Sequence, residues 1–432
     1  MNKIFSEKNI TIGLLICCFL SLFLKNNINS ICLVLLVVYS LINYFLIKKR
    51  KIVFTLNFRK EEIYFIIYFL IILVSVIYSE NKDVAIKHIG RYIVFLVVPF
   101  SFIFLPALPD KHKFFIRKTY VYGMIILLTF LFLNAIKQNA EIGYSFIDFI
   151  SSIFLSIFDS DVTVSGIEYW VFMYEGLTGI IDIQPIYISL FVNLGYVFLI
   201  SLREKEEISN VRFWAISSFF LFFSVLLSSR METIIFFVLL FLYLLIYSPK
   251  SKKEFFRNLF VCSISVFLMV LVVFSNPILK DRILSTIDTN YTSDYVSFAN
   301  QNVRMEKWKN SLQVIEKSPI IGQGIGDYKD ELIAQYKENN FLLGVENKYN
   351  SHNQYLDTML QCGLFGLVVL LGLFFRGIIN AYKKDLEKIL LYLTFALSFI
   401  TESMFDRHWG IVSFVFFICF SLKYTVDINN NK

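Results

Sequence analysis

Residues 221–241 read LFFSVLLSSRMETIIFFVLLF. Two apolar runs, 212–228 and 231–247, meet there at SSRMET, a turn so short that it only reverses the chain. Each run is close to the roughly 20 residues that a helix needs to cross about 30 Å of hydrocarbon. In lipid, only helices and closed barrels satisfy their own backbone groups. The hairpin therefore reads as two membrane-spanning helices with Arg230 at their tip. A guanidinium at the membrane edge is costly without an anionic partner. Arg230 thus either pairs with nearby Glu232 or clamps a phosphate or diphosphate, for which its planar fork is well shaped.

The same pattern recurs along the chain. Runs at 9–24, 28–47, 62–78, 92–108, 119–136, 184–202, 258–275, 357–376, 388–402 and 409–424 join the first two, giving about twelve spans. Composition agrees: 56% of the 432 residues are hydrophobic and 18% aromatic, and the mean hydropathy is +0.63. That is too apolar for a water-soluble globule of this size. The expected fold class is all-α: a polytopic membrane protein of about twelve transmembrane helices in a single domain, 1–432, with a long outer loop between helices nine and ten. The first run lacks an A-x-A-like cleavage site and a second span follows closely, so it is expected to be retained.

Lysine and arginine set the orientation. The basic loops 48–60, 109–118, 203–212, 250–257 and 376–388 fall on every second connection, which places both termini in the cytoplasm. Loop 137–183 carries one lysine against seven acids and belongs outside. Topology thus accounts for the net charge of +7, and no nucleic-acid partner is implied. Cys17, Cys18, Cys32, Cys262, Cys362 and Cys419 lie in or at the ends of spans, without metal-knuckle spacing, and read as small core residues.

Two segments are too long to be simple connections. In 137–183, YSFIDFISSIFLSIFD suggests a helix lying in the outer interface. In 276–356, Met305, Trp308, Leu312 and Ile315 recur at helical spacing, with Arg304 and Lys307 on a neighbouring face. A long outer loop suggests work done on the far side of the bilayer.

Three groups there bear chemistry. Ser351 followed by Gln354 fits a capping box, which would make Ser351 the N-cap and His352 the first residue of the tenth span. The helix dipole disfavours imidazolium at that position, and a neutral imidazole suits a general base. A histidine that merely decorates a helix end fits the same spacing. Gly322, Gly324 and Gly326 in IIGQGIGDY follow Ser318-Pro319 rather than a buried strand, so they read as a turn before another helix, not as a nucleotide loop. In TESMFDRHW, Glu402, Asp406 and His408 would suit a divalent ion. No dependable spacing closes that site, so a salt-bridged turn is expected and no metal is assigned.

Taken in order, these stretches resemble the O-antigen ligase and polymerase family. SHNQYLDTMLQCGLFG is similar to its H-N-x-x-L motif, with Leu356 and Gly363 in the leucine and glycine positions. VRMEKWKNSLQVIEKSPIIGQGIGDY resembles its R-x-x-x-W segment and the Pro-x-x-Gly-x-Gly turn that follows. LLSSRM resembles its Ser-Arg turn, with Met231-Glu232 where a small residue is common, and QPIYISLFVNLGYV its His-Pro-x-Tyr segment, with Gln184 for the histidine.

The resemblance implies a membrane glycosyltransferase that moves a glycan from a polyprenyl diphosphate carrier to an acceptor hydroxyl on the outer face of the bacterial inner membrane, without metal or cofactor. By it, His352 is the base or acceptor-orienting residue, and Arg230 and Arg304 bind the diphosphate. The partners implied are the lipid-linked glycan donor, a lipid or glycan acceptor, and membrane lipid. A polymerase extending a lipid-linked glycan shares the donor chemistry. A transporter or flippase would show paired broken helices at mid-membrane, and a noncatalytic scaffold would not need these motifs.

Overall fold

The computed structural model describes residues 7–47, 59–141, 147, 171–247, 251–260, 263–264, 301–382 and 385–426. Every regular element among them is helical. In chain order these are α1 (Glu7–Ser21), α2 (Asn26–Ile42), α3 (Lys60–Tyr78), α4 (Lys82–Tyr92), α5 (Val94–Phe104), α6 (Asp110–Glu141), α7 (Tyr174–Thr178), α8 (Pro185–Glu204), α9 (Asn210–Leu226) and α10 (Arg230–Leu242). There follow α11 (Gln301–Lys317), α12 (Tyr328–Glu338), α13 (Leu342–Glu346), α14 (Gln354–Ala381), α15 (Leu386–Thr401) and α16 (His408–Lys423).

Among the described residues, six helical stretches are long and apolar enough to cross a membrane by length and composition: Asn26–Phe45, Lys60–Tyr78, Lys82–Phe104, Asp110–Glu141, Pro185–Glu204 and Gln354–Ala381. Helices coincide with all the apolar runs but 258–275, most of which lies outside the described residues. Boundaries differ from those expected. The run at 92–108 begins earlier, at α4, whose buried face is Ala85, His88 and Tyr92 and whose Asp83, Lys87 and Arg91, off that face, break the apolar run. Helix α6 extends beyond its apolar run at both ends, because helical propensity and i,i+4 pairing such as Lys137–Glu141 outlast the apolar composition. The expected interfacial helix YSFIDFISSIFLSIFD lies outside the described residues apart from Ile147, as does 276–300 of the long loop.

In residues 301–356 of that loop, α11 forms where the spacing predicts it. Of the four spaced apolar residues, Ile315 is buried, whereas Met305 and Leu312 are 60% and 51% exposed. Lys307, Asn310, Ser311 and Val314 are also inside, so the i, i+3, i+4, i+7 series of the buried face is polar at three positions of four.

The chain divides into two compact units: 1–124 with 190–216 and 307–432, and 125–189 with 217–306. In the first, α14 packs along α3 and α15, and α16 packs on α5 and α15. Phe95, Phe399, Phe405 and Phe414 form an aromatic core, with ring centroids 5.1 Å apart for Phe95–Phe405 and Phe399–Phe405. At the start of α15, Glu387 holds the buried guanidinium of Arg117 through bonds of 2.7 and 2.8 Å. Arg117 also donates to the Tyr424 carbonyl and stacks on Phe420. An ion pair this deep stays only because both partners are fully hydrogen-bonded. In the second unit, Phe132 packs against Phe172, Phe222 and Phe223, and Thr233 of α10 donates to the Ser224 carbonyl at 3.1 Å, closing the SSRMET hairpin.

Candidate active site

Helix α14 starts two residues later than the capping box predicts. Its cap is Asn353, whose Oδ1 accepts from the Tyr355 and Leu356 amides. The Ser351 hydroxyl is engaged elsewhere, donating to Asp357 Oδ1 at 2.6 Å and accepting from the Asn353 amide. A buried carboxyl group, out of reach of water, must find its partner within the protein, so Ser351 serves it, and asparagine caps as well as serine does. His352 therefore precedes the helix instead of opening it, and its imidazole is not part of the first turn.

His352 is held in the left-handed region, with φ 49°, a conformation costing a non-glycine residue about 1–2 kcal/mol. Its amide donates to Asn350 Oδ1 at 3.2 Å. Its ring, with the side chain 31% exposed, places Nδ1 3.4 Å from Glu402 Oε2. A carboxylate at Nδ1 fixes the tautomer in which Nδ1 carries the proton and Nε2 offers a lone pair. The edge of the Tyr349 ring packs beside it, and Lys307 Nζ sits 3.6 Å from the centroid of that ring.

Glu402 and Asp406 are not one turn apart on a helix, as the sequence suggests. Helix α15 stops at Thr401, Glu402 is extended, and Met404–Asp406 is a single 3₁₀ turn. Phe405 anchors this turn in the aromatic core, and its amide donates to Gln354 Oε1 at 2.7 Å. The three residues considered for a metal turn to separate partners: Glu402 meets His352, Asp406 meets Lys329 and Asn350, and His408 bonds Asn29. Among the described residues no three His, Cys, Asp or Glu side chains gather as a metal site.

Asp406 is a hub. It accepts from Lys329 Nζ and Asn350 Nδ2, each at 2.8 Å, and from the Tyr328 hydroxyl at 3.1 Å. Arg91 Nη1 reaches its backbone carbonyl at 2.6 Å and its carboxylate at 3.6 Å. Burial pushes its carboxyl up, but Lys329, Asn350 and Arg91 outweigh burial and hold it below the usual carboxylate range. Burial, then Asp406, push the Tyr328 phenol well up.

The glycine-rich turn places Tyr328 and Lys329. Helix α14 breaks at Gly363, with φ 61° and ψ −155°, and the freed Leu360 and Gln361 carbonyls accept from the Gln323 and Gly324 amides at 2.7 and 3.1 Å. A Cβ at Gly363 would lie 2.3 Å from the Ile320 carbonyl carbon, so only glycine admits this contact. Next, Asp327 accepts from the Glu80 and Asn81 amides at 2.7 and 2.8 Å, fixing the start of α4 and hence Arg91. The turn before another helix is thus as expected, and its backbone groups are occupied by α14.

Arg230 is the exposed first residue of α10, preceded by Ser228 at φ 51°, and Glu232 is buried in the same turn. Arg304 lies half-buried in the first turns of α11. Both belong to the second unit and His352 to the first. Arg91, Lys329 and Asn350 escaped the sequence reading. The periodicity of α4 could have revealed Arg91; no local signal marks the other two.

Residues 213–371 match the family model described as O-Antigen ligase, so the resemblance read from the motifs holds over a stretch that contains Arg230, Arg304 and His352. The chain is similar to a ComP-specific O-oligosaccharyltransferase of Acinetobacter baylyi, 26% identical over 320 residues, which is 73% of this chain and 53% of that protein. It is also similar to an uncharacterized protein of Haemophilus influenzae, 31% identical over 86 residues, 18% of this chain and 22% of that one. The matched part of the chain therefore spans about half the length of the first relative and about a fifth of the second.

Proposed function

We propose, from the premise that residues 213–371 carry an O-antigen ligase domain, that the protein is a membrane glycosyltransferase. It moves a glycan from a polyprenyl diphosphate carrier to an acceptor hydroxyl. The observation that carries this reading is the His352–Glu402 pair inside and beside that domain, with Nδ1 and carboxylate 3.4 Å apart. His352 Nε2 takes the acceptor proton while the acceptor oxygen attacks the anomeric carbon. The bond from that carbon to the diphosphate oxygen breaks, and its electron pair leaves on the diphosphate, which stays on the lipid. Glu402 faces the imidazolium that forms. Arg230 and Arg304 bind the diphosphate and spread its developing charge, which at a partly desolvated site lowers the barrier by several kcal/mol.

The reaction is placed on the outer face of the bacterial inner membrane, with both termini cytoplasmic and no metal required. The two ends of α15 support this placement. Glu387 at its start meets Arg117, from a loop the charge bias assigns to the cytoplasm, and Glu402 at its end meets His352, from an expected outer loop. The two glutamates are about 22 Å apart along the helix. The name of the Acinetobacter baylyi relative, an O-oligosaccharyltransferase specific for ComP, supports a second choice of acceptor, a hydroxyl on another macromolecule in place of a lipid or glycan.

The test is conversion of donor by the purified full chain in membranes loaded with lipid-linked glycan. Acceptor-dependent release of polyprenyl diphosphate is expected. Movement of intact donor across the bilayer without release would instead make the protein a flippase.

A further inference from the structure

We infer that Asn350 and Asp406 form a latch that sets the backbone of His352 and so aims its ring at Glu402. This inference rests on the catalytic role proposed for His352. Asn350 uses both ends of its amide: Nδ2 donates to Asp406 Oδ2 at 2.8 Å, and Oδ1 accepts the His352 N–H at 3.2 Å. The flip state of that amide follows from its partners, since only the carbonyl end can accept from a backbone N–H and only the amino end can donate to a carboxylate. His352 at φ 49° would relax toward ordinary backbone angles without a partner for its amide.

Asp406 is in turn held rigidly from the far side. Tyr328 and Lys329 of α12 and Arg91 of α4 all reach it, and Phe405, one residue earlier, is fully buried in the aromatic core. The turn that supplies Asp406 also supplies Glu402. The same short segment therefore grips His352 twice, once by its ring and once by its backbone through Asn350. Such double control suits a base whose Nε2 must point at one acceptor oxygen. Asn350 and Asp406 are positioning residues and touch no reacting atom in this account.

Two measurements on the full chain in native membranes test the latch. The first is the rate at which diethyl pyrocarbonate modifies His352, read by mass spectrometry with His112 of α6 as internal control. In Asn350→Ala the His352 rate should rise severalfold while that of His112 stays constant. This readout needs no knowledge of the substrate. The second is glycan transfer from the cells' own lipid-linked donor. Asn350→Ala should lower kcat about 10- to 100-fold with KM within about twofold. Asp406→Asn, which keeps an oxygen for the Asn350 amide, should retain more activity than Asp406→Ala. Adding Asn350→Ala to Asp406→Ala should change little, because the two act in series. An unchanged His352 modification rate, or losses that multiply in the double variant, would overturn the latch. Full transfer by His352→Ala would instead overturn the catalytic reading, whatever the modification rates show.

Discussion

In the proposed reaction Glu402 acts through the imidazole of His352. As the partner of His352 Nδ1, it sets which ring nitrogen is free, so Glu402→Gln, which keeps the shape and removes the charge, should lower kcat about 10- to 1000-fold with little change in KM. Steady-state transfer rates read this directly. Asp406 bears on stability. Its folded-state carboxyl lies below the ordinary value of 3.8, so its contribution is present above that value and disappears as pH falls through the lower, folded-state one. Asp406→Asn should therefore lose about 2 kcal/mol at neutral pH, and the gap in thermal midpoint to the wild type should close as the pH is taken below 3.8. His352, Glu402 and Asp406 were each legible as chemistry-bearing in the sequence, but their pairing was not. Glu402 and Asp406 suggest a helical pair by spacing, and only the end of α15 at Thr401 sends one carboxylate to His352 and the other to Lys329. Asn350 was invisible, because what matters about it is the turn it stabilises.

At the scale of elements, the broken helix α14 and the turn from Pro319 to Gly326 are one device. The Gln323 and Gly324 amides fill the carbonyls freed at Gly363, and Leu364 donates back to the Pro319 carbonyl at 2.9 Å. Gly363→Ala adds a methyl where the Ile320 backbone lies and forces alanine to positive φ. A loss of at least about 2 kcal/mol is expected, read as a lower thermal midpoint in detergent, and a midpoint equal to the wild type would contradict this packing. Apolar runs made most helices legible, since lipid demands long uninterrupted segments. Helix α4 was missed because it turns one narrow buried face toward the core and keeps Lys87 and Arg91 outside it. The start of α14 was displaced because Asp357 claims Ser351, a contact six residues apart that no capping rule contains. Helix α11 was legible from its spacing, but the polar Lys307, Asn310 and Ser311 that fill its buried face were not.

For the molecule as a whole, the match of residues 213–371 supports a glycan transferase, and the proposed outer-face placement rests on the charge bias and the two ends of α15. In the proposed chemistry diphosphate charge is met by arginine, with no bound ion between them. Washing the membranes with a chelator of divalent cations should then leave the transfer rate within about twofold of the untreated rate, whereas abolition restored by magnesium or manganese would place a metal in the reaction. In the proposed reaction Arg230 and Arg304 bind the donor diphosphate, so each arginine changed to lysine should raise KM for the donor while leaving membrane insertion intact. Replacing His352 by alanine, in cells whose own copy is deleted, tests the central claim most directly through the amount of lipid-linked glycan in membrane extracts. The account predicts normal insertion, accumulated donor and transfer reduced at least about 100-fold; normal insertion with donor and transfer at wild-type levels would contradict it.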